Sequence, residues 1–264
     1  LDANEVQELF AMGLPSPEPL PDVTFLPLAR DRIQFLLRRN GRYSVVSPLG
    51  RRELVVREVQ EQKVSGPWRV EFPAGSGAPT AIELRDLISL HRHEDPGVRH
   101  FSGRATYTRD VEIEAPGRSQ RILLDLGRVE CLARVSINGH ELGVLWKPPF
   151  EIDVTSAVRH GRNRISVVVV TLWPNRLIGD ERLPAEATYG TAGQIASLPE
   201  WYRIQAAKPP GRLTFATWRH YSPNDPLLAS GLLGPVRLIR AVAASLDIPS
   251  TGSPVGHPGA GQSY

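Results

Sequence analysis

Residues 133–146 read ARVSINGHELGVLW. A short alternating run enters Asn138-Gly139, and a second extended run leaves it. Asn-Gly supplies positive φ at both central positions of a type I′ turn, whose twist matches that of two antiparallel strands. The stretch is predicted to be a β-hairpin, and the same pattern continues on both sides of it. ATYTRDVEI at 105–113 puts Ala105, Tyr107, Val111 and Ile113 on one face, with Thr106, Thr108, Asp110 and Glu112 on the other. WRVEF (68–72) alternates, and RILLDLG (121–127) follows the same logic. FEIDV (150–154) turns Phe150, Ile152 and Val154 inward, with Thr155 expected to cap a short turn. RISVVVVT (164–171) is expected as a strand buried on both faces. RLTFATW (212–218) and PVRLIRAV (235–242) complete the set, and long Pro- and Gly-rich loops span 75–103 and 172–211. Many short strands with few helices predict an all-β sandwich rather than an α/β fold.

The flanks read differently. Residues 32–60 hold three β runs, RIQFLL, YSVVS and ELVVREV, the first two expected to pair through a hairpin at Asn40-Gly41. These make a small three-stranded region over 20–62 that needs a neighbour to pack on. LPSPEPLPDVT (14–24) reads as an extended connector. Residues 1–19 read as the end of a helix from a truncated upstream domain, followed by that connector. Asn4 serves as cap, Val6, Leu9 and Phe10 share one face, and Gly13 with Pro15 is the stop. The main β domain is expected over 63–243. From 244 to 264 the Ser-, Gly- and Pro-rich chain reads as a disordered tail.

Composition narrows the function classes. The 264 residues are 41% apolar, enough for a substantial core. A net charge of +3 without a basic block argues against nucleic acid as a partner. No apolar run has the length of a membrane-spanning helix. The single cysteine, Cys131, lies in the alternating VECLARVSI and reads as strand filler.

Two clusters carry candidate chemistry. VVVVTLWPNRLIGDE (167–181) ends a strand in Trp173, Asn175, Arg176, Asp180 and Glu181. Arginine and carboxylates bond paired sugar hydroxyls, and an aromatic ring covers the C–H face of a pyranose. A structural reading is favoured for Arg176 and Asp180, as a loop clamp, with Pro174 fixing a turn and Asn175 bonding backbone. TFATWRHYSPNDP (214–226) gathers Trp218, His220 and Tyr221 as a second sugar shelf, or as an aromatic corner with an Asx turn at Asn224-Asp225-Pro226. LHRHEDPGVRH (90–100) contains His91, His93, Glu94, Asp95 and His100, but no matching ligand set accompanies it. It reads as a solvated loop and not as a metal site. A structural calcium held by backbone carbonyls fits such a sandwich and leaves no mark in sequence. No cofactor is otherwise implied. A glycosidase needs two carboxyl groups about 5–10 Å apart. Asp110, Glu112, Asp125 and Glu151 alternate outward, and Glu181, Glu186 and Glu200 lie in the long loop. Nothing pairs them, so no catalytic residue is assigned.

Several of these runs, in order, resemble a known family. SGRATYTRDVEI, LDLGRVECLARVSINGHELGVLWKPPFEIDVTSAV, GRNRISVVVVTLWPNRLIGDE and WRHYSPNDPLLASGLLGPVRL are similar to the C-terminal β-sandwich region of family 106 glycoside hydrolases, the α-L-rhamnosidase group. The central part also resembles the jelly-roll sugar-binding domain of family 2 glycosidases. SGPWRVEF (65–72) is similar to the opening strand of that region, and NGRYSV to the linker before it. The resemblance implies a galactose-binding-domain-like jelly roll preceded by a small sheet. It implies a parent enzyme that removes rhamnose or a similar sugar from a polysaccharide, and a periplasmic or extracellular setting. The family's catalytic carboxylates sit in an upstream barrel domain, an implied partner within the same protein. This chain is then expected to be a non-catalytic accessory sandwich that binds carbohydrate, with a structural module or a self-sufficient glycosidase as the alternatives.

Overall fold

The computed structural model describes residues 21–29, 32–47 and 50–247. The expected N-terminal helix, and the tail beyond 247, lie outside the described residues. Packing divides the described chain into two units.

The smaller unit comprises Pro21–Gln60, Pro116–Arg121 and 239–247. Strand β1 (Val23–Ala29) pairs antiparallel with β2 (Arg32–Leu37), and Leu37 of β2 faces Val23 on one side and Val242 on the other. The last strand, β16 (Arg237–Asp247), thus makes β2 central. Residues 244–247, assigned to a tail from their composition, are part of this strand. β3 (Gly41–Ser47) and β4 (Gly50–Val56) form a separate hairpin. Phe35, Leu37, Val56 and Leu246 form the small core, with Tyr43, Val45 and Leu54 packed against it.

Asn40-Gly41 is therefore not the hairpin turn that the dipeptide suggests, since β2 and β3 belong to different sheets. The Asn40 amide donates to the Val59 carbonyl at 3.0 Å and accepts from the Val59 N–H at 2.9 Å. Asparagine imitates a backbone partner here, which removes the need for a tight turn.

The larger unit holds Glu61–Ala115 and Ile122–Leu238. Its elements are β5 (Gln60–Lys63), β6 (Trp68–Glu71), β7 (Ala81–Leu84), α1 (Pro96–Arg99), β8 (Arg104–Ile113), β9 (Gln120–Asp125), β10 (Arg128–Glu130), β11 (Leu132–Ile137), β12 (His140–Leu145), β13 (Glu151–Asp153), β14 (Gly161–Val170), α2 (Pro174–Asp180), α3 (Glu200–Arg203) and β15 (Gly231–Gly234). One antiparallel sheet has the order β12-β11-β14-β8-β6-β7. Facing it are β9 paired with β13, and β10 paired with β15. Trp68, Val70, Ala105, Tyr107, Val135, Ile137, Ile165, Val167 and Val169 meet Ile122, Leu124, Leu126, Val129 and Leu232 in one core. Each large apolar side chain so buried contributes about 1.5–3 kcal/mol. This is the antiparallel all-β sandwich that the alternation predicts.

The hairpin that opened the sequence reading forms as expected. Asn138 and Gly139 have φ of 53° and 82° between paired β11 and β12. Asn138 also accepts from the Arg164 N–H at 2.9 Å and donates to the Ala157 carbonyl at 3.0 Å. Fully buried Asn163 accepts from the Asn138 amide at 2.8 Å and donates to the carbonyls of Arg159 and Gly161, both at 2.7 Å.

Four further expectations need correction. β14 buries Ile165, Val167 and Val169, while Ser166, Val168 and Val170 are only half-buried, because core covers one face alone. Residues 212–218 form no strand; Trp218 makes an isolated bridge to Gln194, and the alternating side chains are used in a polar network instead. Asp153, not Thr155, caps the turn after β13, accepting from the Thr155 N–H at 2.8 Å. Cys131 is exposed in the break between β10 and β11.

Candidate functional site

The end of β14 leads into a helix, not a loop. Pro174 occupies the first helical position of α2, where a missing N–H costs nothing. The helix sets Asn175, Arg176, Ile178 and Asp180 inward. Gly179 is required by a close approach: a Cβ there would fall 2.7 Å from the His100 ring. No residue caps the N-terminus, and Trp173 stands there 62% exposed.

The inward residues have structural partners. Asn175, 3% exposed, donates to the Leu228 carbonyl and accepts from the Leu228 N–H, both at 2.8 Å. Asp180, 1% exposed, accepts from the N–H and the hydroxyl of Thr214, each at 2.7 Å. Its other oxygen lies 3.5 Å from Arg176, one helical turn back. Arg176 also approaches the Gly97 carbonyl at 3.4 Å. Burial lowers the Arg176 pKa, and Asp180 opposes that effect.

Glu181 turns toward the long loop. It pairs with Arg212 at 2.6 Å and with Arg219 at 3.1 Å. Arg212 further donates to the carbonyls of Pro184 and Leu183, both at 3.0 Å. Glu186 pairs with Lys208, and the Arg219 guanidinium lies 5.0 Å from the centre of the Tyr189 ring. Asp180, Glu181 and Glu186 all line one small cavity of about 20 Å³, together with Tyr189, Arg212 and Thr214. That is room for about one water molecule and not for a sugar ring. Three acids do converge here, but each has a cationic partner, so the arrangement fastens the loop.

The second cluster is more open. The Trp218 and His220 rings stack at 6.4 Å with an interplanar angle of 29°, and Trp218 is 44% exposed. The turn beyond it is tied by Asp225, which accepts from the Ser222 N–H at 2.9 Å and from its hydroxyl at 2.6 Å, rather than by Asn224. Arg219 joins the two clusters through Glu181. A further aromatic group, Trp201, Tyr202 and Phe215, lies in the same loop, with Tyr202 and Phe215 stacked at 6.3 Å.

The His-rich segment at 90–100 is structural and not a solvated loop. His93 accepts from the Asp95 N–H at 3.1 Å, and Asp95 caps α1 by accepting from the Val98 N–H at 3.0 Å. His100 is buried, its Nδ1 lying 2.9 Å from the Pro96 carbonyl, and burial lowers its pKa. Among the described residues no group of three His, Cys, Asp or Glu side chains gathers as a metal site. No described helix is long and apolar enough to cross a membrane. The outward carboxylates are partly committed: Asp110 pairs with Arg162 and Arg164, and Asp125 accepts from the Gly127 N–H at 2.8 Å.

Of the residues singled out from sequence, Asp180 and Glu181 reach 212–219 through Thr214, Arg212 and Arg219, and Arg176 pairs with Asp180. Asn175 bonds Leu228, Trp218 stacks on His220, and Trp173 stands exposed at the start of α2. Sequence reasoning missed Arg212, Thr214, Arg219 and Lys208. Their partners lie 22 to 38 residues away, and no local pattern announces such pairs.

No family model matches the chain. A protein of Formosa agariphila named "Putative beta-glucuronidase" is 40% identical over 186 residues, covering 69% of this chain and 16% of that protein. The solved rhamnosidase from Novosphingobium sp. PP1Y superposes with a TM-score of 0.56 at 27% identity, over 90% of this chain and 26% of that one. The Bifidobacterium dentium β-glucuronidase matches 70% of this chain and 30% of its own, at 22% identity and a TM-score of 0.44. The chain thus spans about a sixth and a quarter of the first two proteins, and its likenesses are to glycoside-hydrolase chains.

Proposed function

We propose that this chain is an accessory β-sandwich region of a larger glycoside hydrolase and presents exposed aromatic rings to carbohydrate. The carrying observation is the rhamnosidase superposition, which takes in 90% of this chain but only 26% of that one. Such a fold works as one part of a longer polypeptide, with bond cleavage assigned to a catalytic barrel elsewhere in the parent. The acids of the loop cluster support the same reading. Two carboxyl groups that cleave a glycoside need space for a sugar between them and suitable protonation. Asp180, Glu181 and Glu186 instead face a water-sized cavity with Arg176, Arg212, Arg219 and Lys208 as partners.

Trp173 and the Trp218–His220 pair are the candidate sugar contacts, since an open aromatic face can cover a pyranose ring. Asn175, Arg176, Asp180 and Glu181 are committed to protein partners rather than to sugar. The parent's substrate is a rhamnoside or a glucuronide, the two sugar types that the matched proteins' names carry.

Two measurements test this. The purified chain is expected to release no aryl group above background from aryl rhamnosides or aryl glucuronides. A rate that disappears in Glu181→Gln would overturn the accessory reading. Titration with rhamnose- or glucuronate-bearing oligosaccharides should show weak binding, reduced about two- to tenfold by Trp218→Ala or Trp173→Ala, as a lost ring contact of about 0.5–1.5 kcal/mol implies. Binding unchanged in both variants removes these rings from the site.

A further inference from the structure

The smaller unit carries a surface that the carbohydrate reading leaves unused. An open groove of about 270 Å³ runs between β1–β2 and the β3–β4 hairpin. Phe25, Phe35, Leu37, Tyr43, Val45 and Val46 are among its walls. Phe25 is 63% exposed and Val46 76% exposed, on opposite walls. Scattered apolar side chains on a surface are ordinary, whereas several collected along one groove mark an interaction site.

Arginine predominates along the groove, where Asp22 is already paired with Arg39 and Glu53 lies across the hairpin from Ser44. Residues 21–60 contain eight arginines and no lysine, against four acidic residues. Arg51 donates to the Ser44 hydroxyl at 2.6 Å, and Ser44 lines the groove. Arg38 donates to the Thr24 hydroxyl at 2.5 Å, between the wall residues Val23 and Phe25. Arg52 and Arg51 lie across the hairpin from Val45 and Val46. Arginine stems cover apolar surface while their planar heads receive carboxylates in pairs.

We propose that this groove binds an acidic polypeptide segment whose apolar side chains anchor between β1 and β3. The apolar walls call for side-chain anchors, and the arginine rim calls for carboxylates on either side of them. Neither demand is met by a neutral sugar.

The test uses the full chain and a fluorescent peptide with two phenylalanines set among glutamates. Anisotropy should show saturable binding that weakens about tenfold when salt rises from about 0.05 to 0.5 M. Val46→Ser and Arg51→Glu should each weaken it about tenfold, with the circular dichroism spectrum unchanged. Equal affinity for the same peptide with lysine replacing glutamate would overturn the proposal. So would binding that survives both substitutions, self-association of the chain that Val46→Ser abolishes while the peptide does not bind, or capture by anionic lipid vesicles in place of the peptide.

Discussion

At the scale of single residues, Asp180 shows how a functional-looking side chain can be structural. It sits on a helix beside an arginine, in a loop region rich in polar groups, and is almost wholly removed from water. Replacing it with alanine strands a buried guanidinium and two donors of Thr214. Asp180→Ala is therefore expected to cost about 3–5 kcal/mol, the range for breaking a buried pair from one side. Arg176→Met combined with Asp180→Leu should lose less than Asp180→Ala alone, because no uncompensated charge remains. Denaturant midpoints followed by circular dichroism check both. Asn175 teaches the complementary lesson. That it would bond backbone is readable from residue type, but its partner Leu228, 53 residues away, is not.

At the scale of elements, α2 was unreadable for identifiable reasons. It is seven residues long, starts at a proline without a capping side chain, and contains a glycine in its last turn. Packing alone makes it a helix, with Gly179 against His100. Gly179→Ala adds a methyl group into that ring and should destabilise by about 1–3 kcal/mol, although alanine is the better helix former. Unchanged stability in urea titration would show that the His100 ring can move aside. The hairpin at Asn138-Gly139 was legible because its determinants are adjacent in sequence. Its anchoring was not, since Asn138 and Asn163 meet across 25 residues. Asn163→Ala should cost about 2–3 kcal/mol by leaving the carbonyls of Arg159 and Gly161 and the Arg159 N–H without their partner, measurable as a lower thermal midpoint. Asn40-Gly41 has the same dipeptide and no turn, so the motif acts only where two strands are available to pair.

At the scale of the larger unit, pH should act through the buried His100 and the half-buried His91. Burial holds the His100 pKa below its ordinary value of 6.5, and Arg182, Arg176 and Arg99 add to that effect, while the hydrogen bond at the Pro96 carbonyl opposes it. His91 is lowered as well, first by burial and then by Arg92. A lowered folded-state value means that the unfolded chain binds protons first as pH falls. Stability is thus fully present above about 6.5 and declines as pH drops below it. The unfolding midpoint should be lower at pH 5.5 than at pH 7.5, and His100→Gln should reduce the difference. An identical pH profile in that variant would show that His100 contributes nothing to it.

The sequence by itself determined the sandwich, the inward face of β8, and the turn at Asn138-Gly139. Each rests on alternation or on dihedral preference, which act between residues a few positions apart. The tertiary structure decided which strands pair across the chain, that 174–180 is a helix and 212–218 no strand, and that the acids after β14 are bound to arginines and a lysine. Those outcomes depend on side chains tens of residues apart meeting in a space from which water is excluded, where a charge must find its opposite, and local sequence carries no record of such meetings.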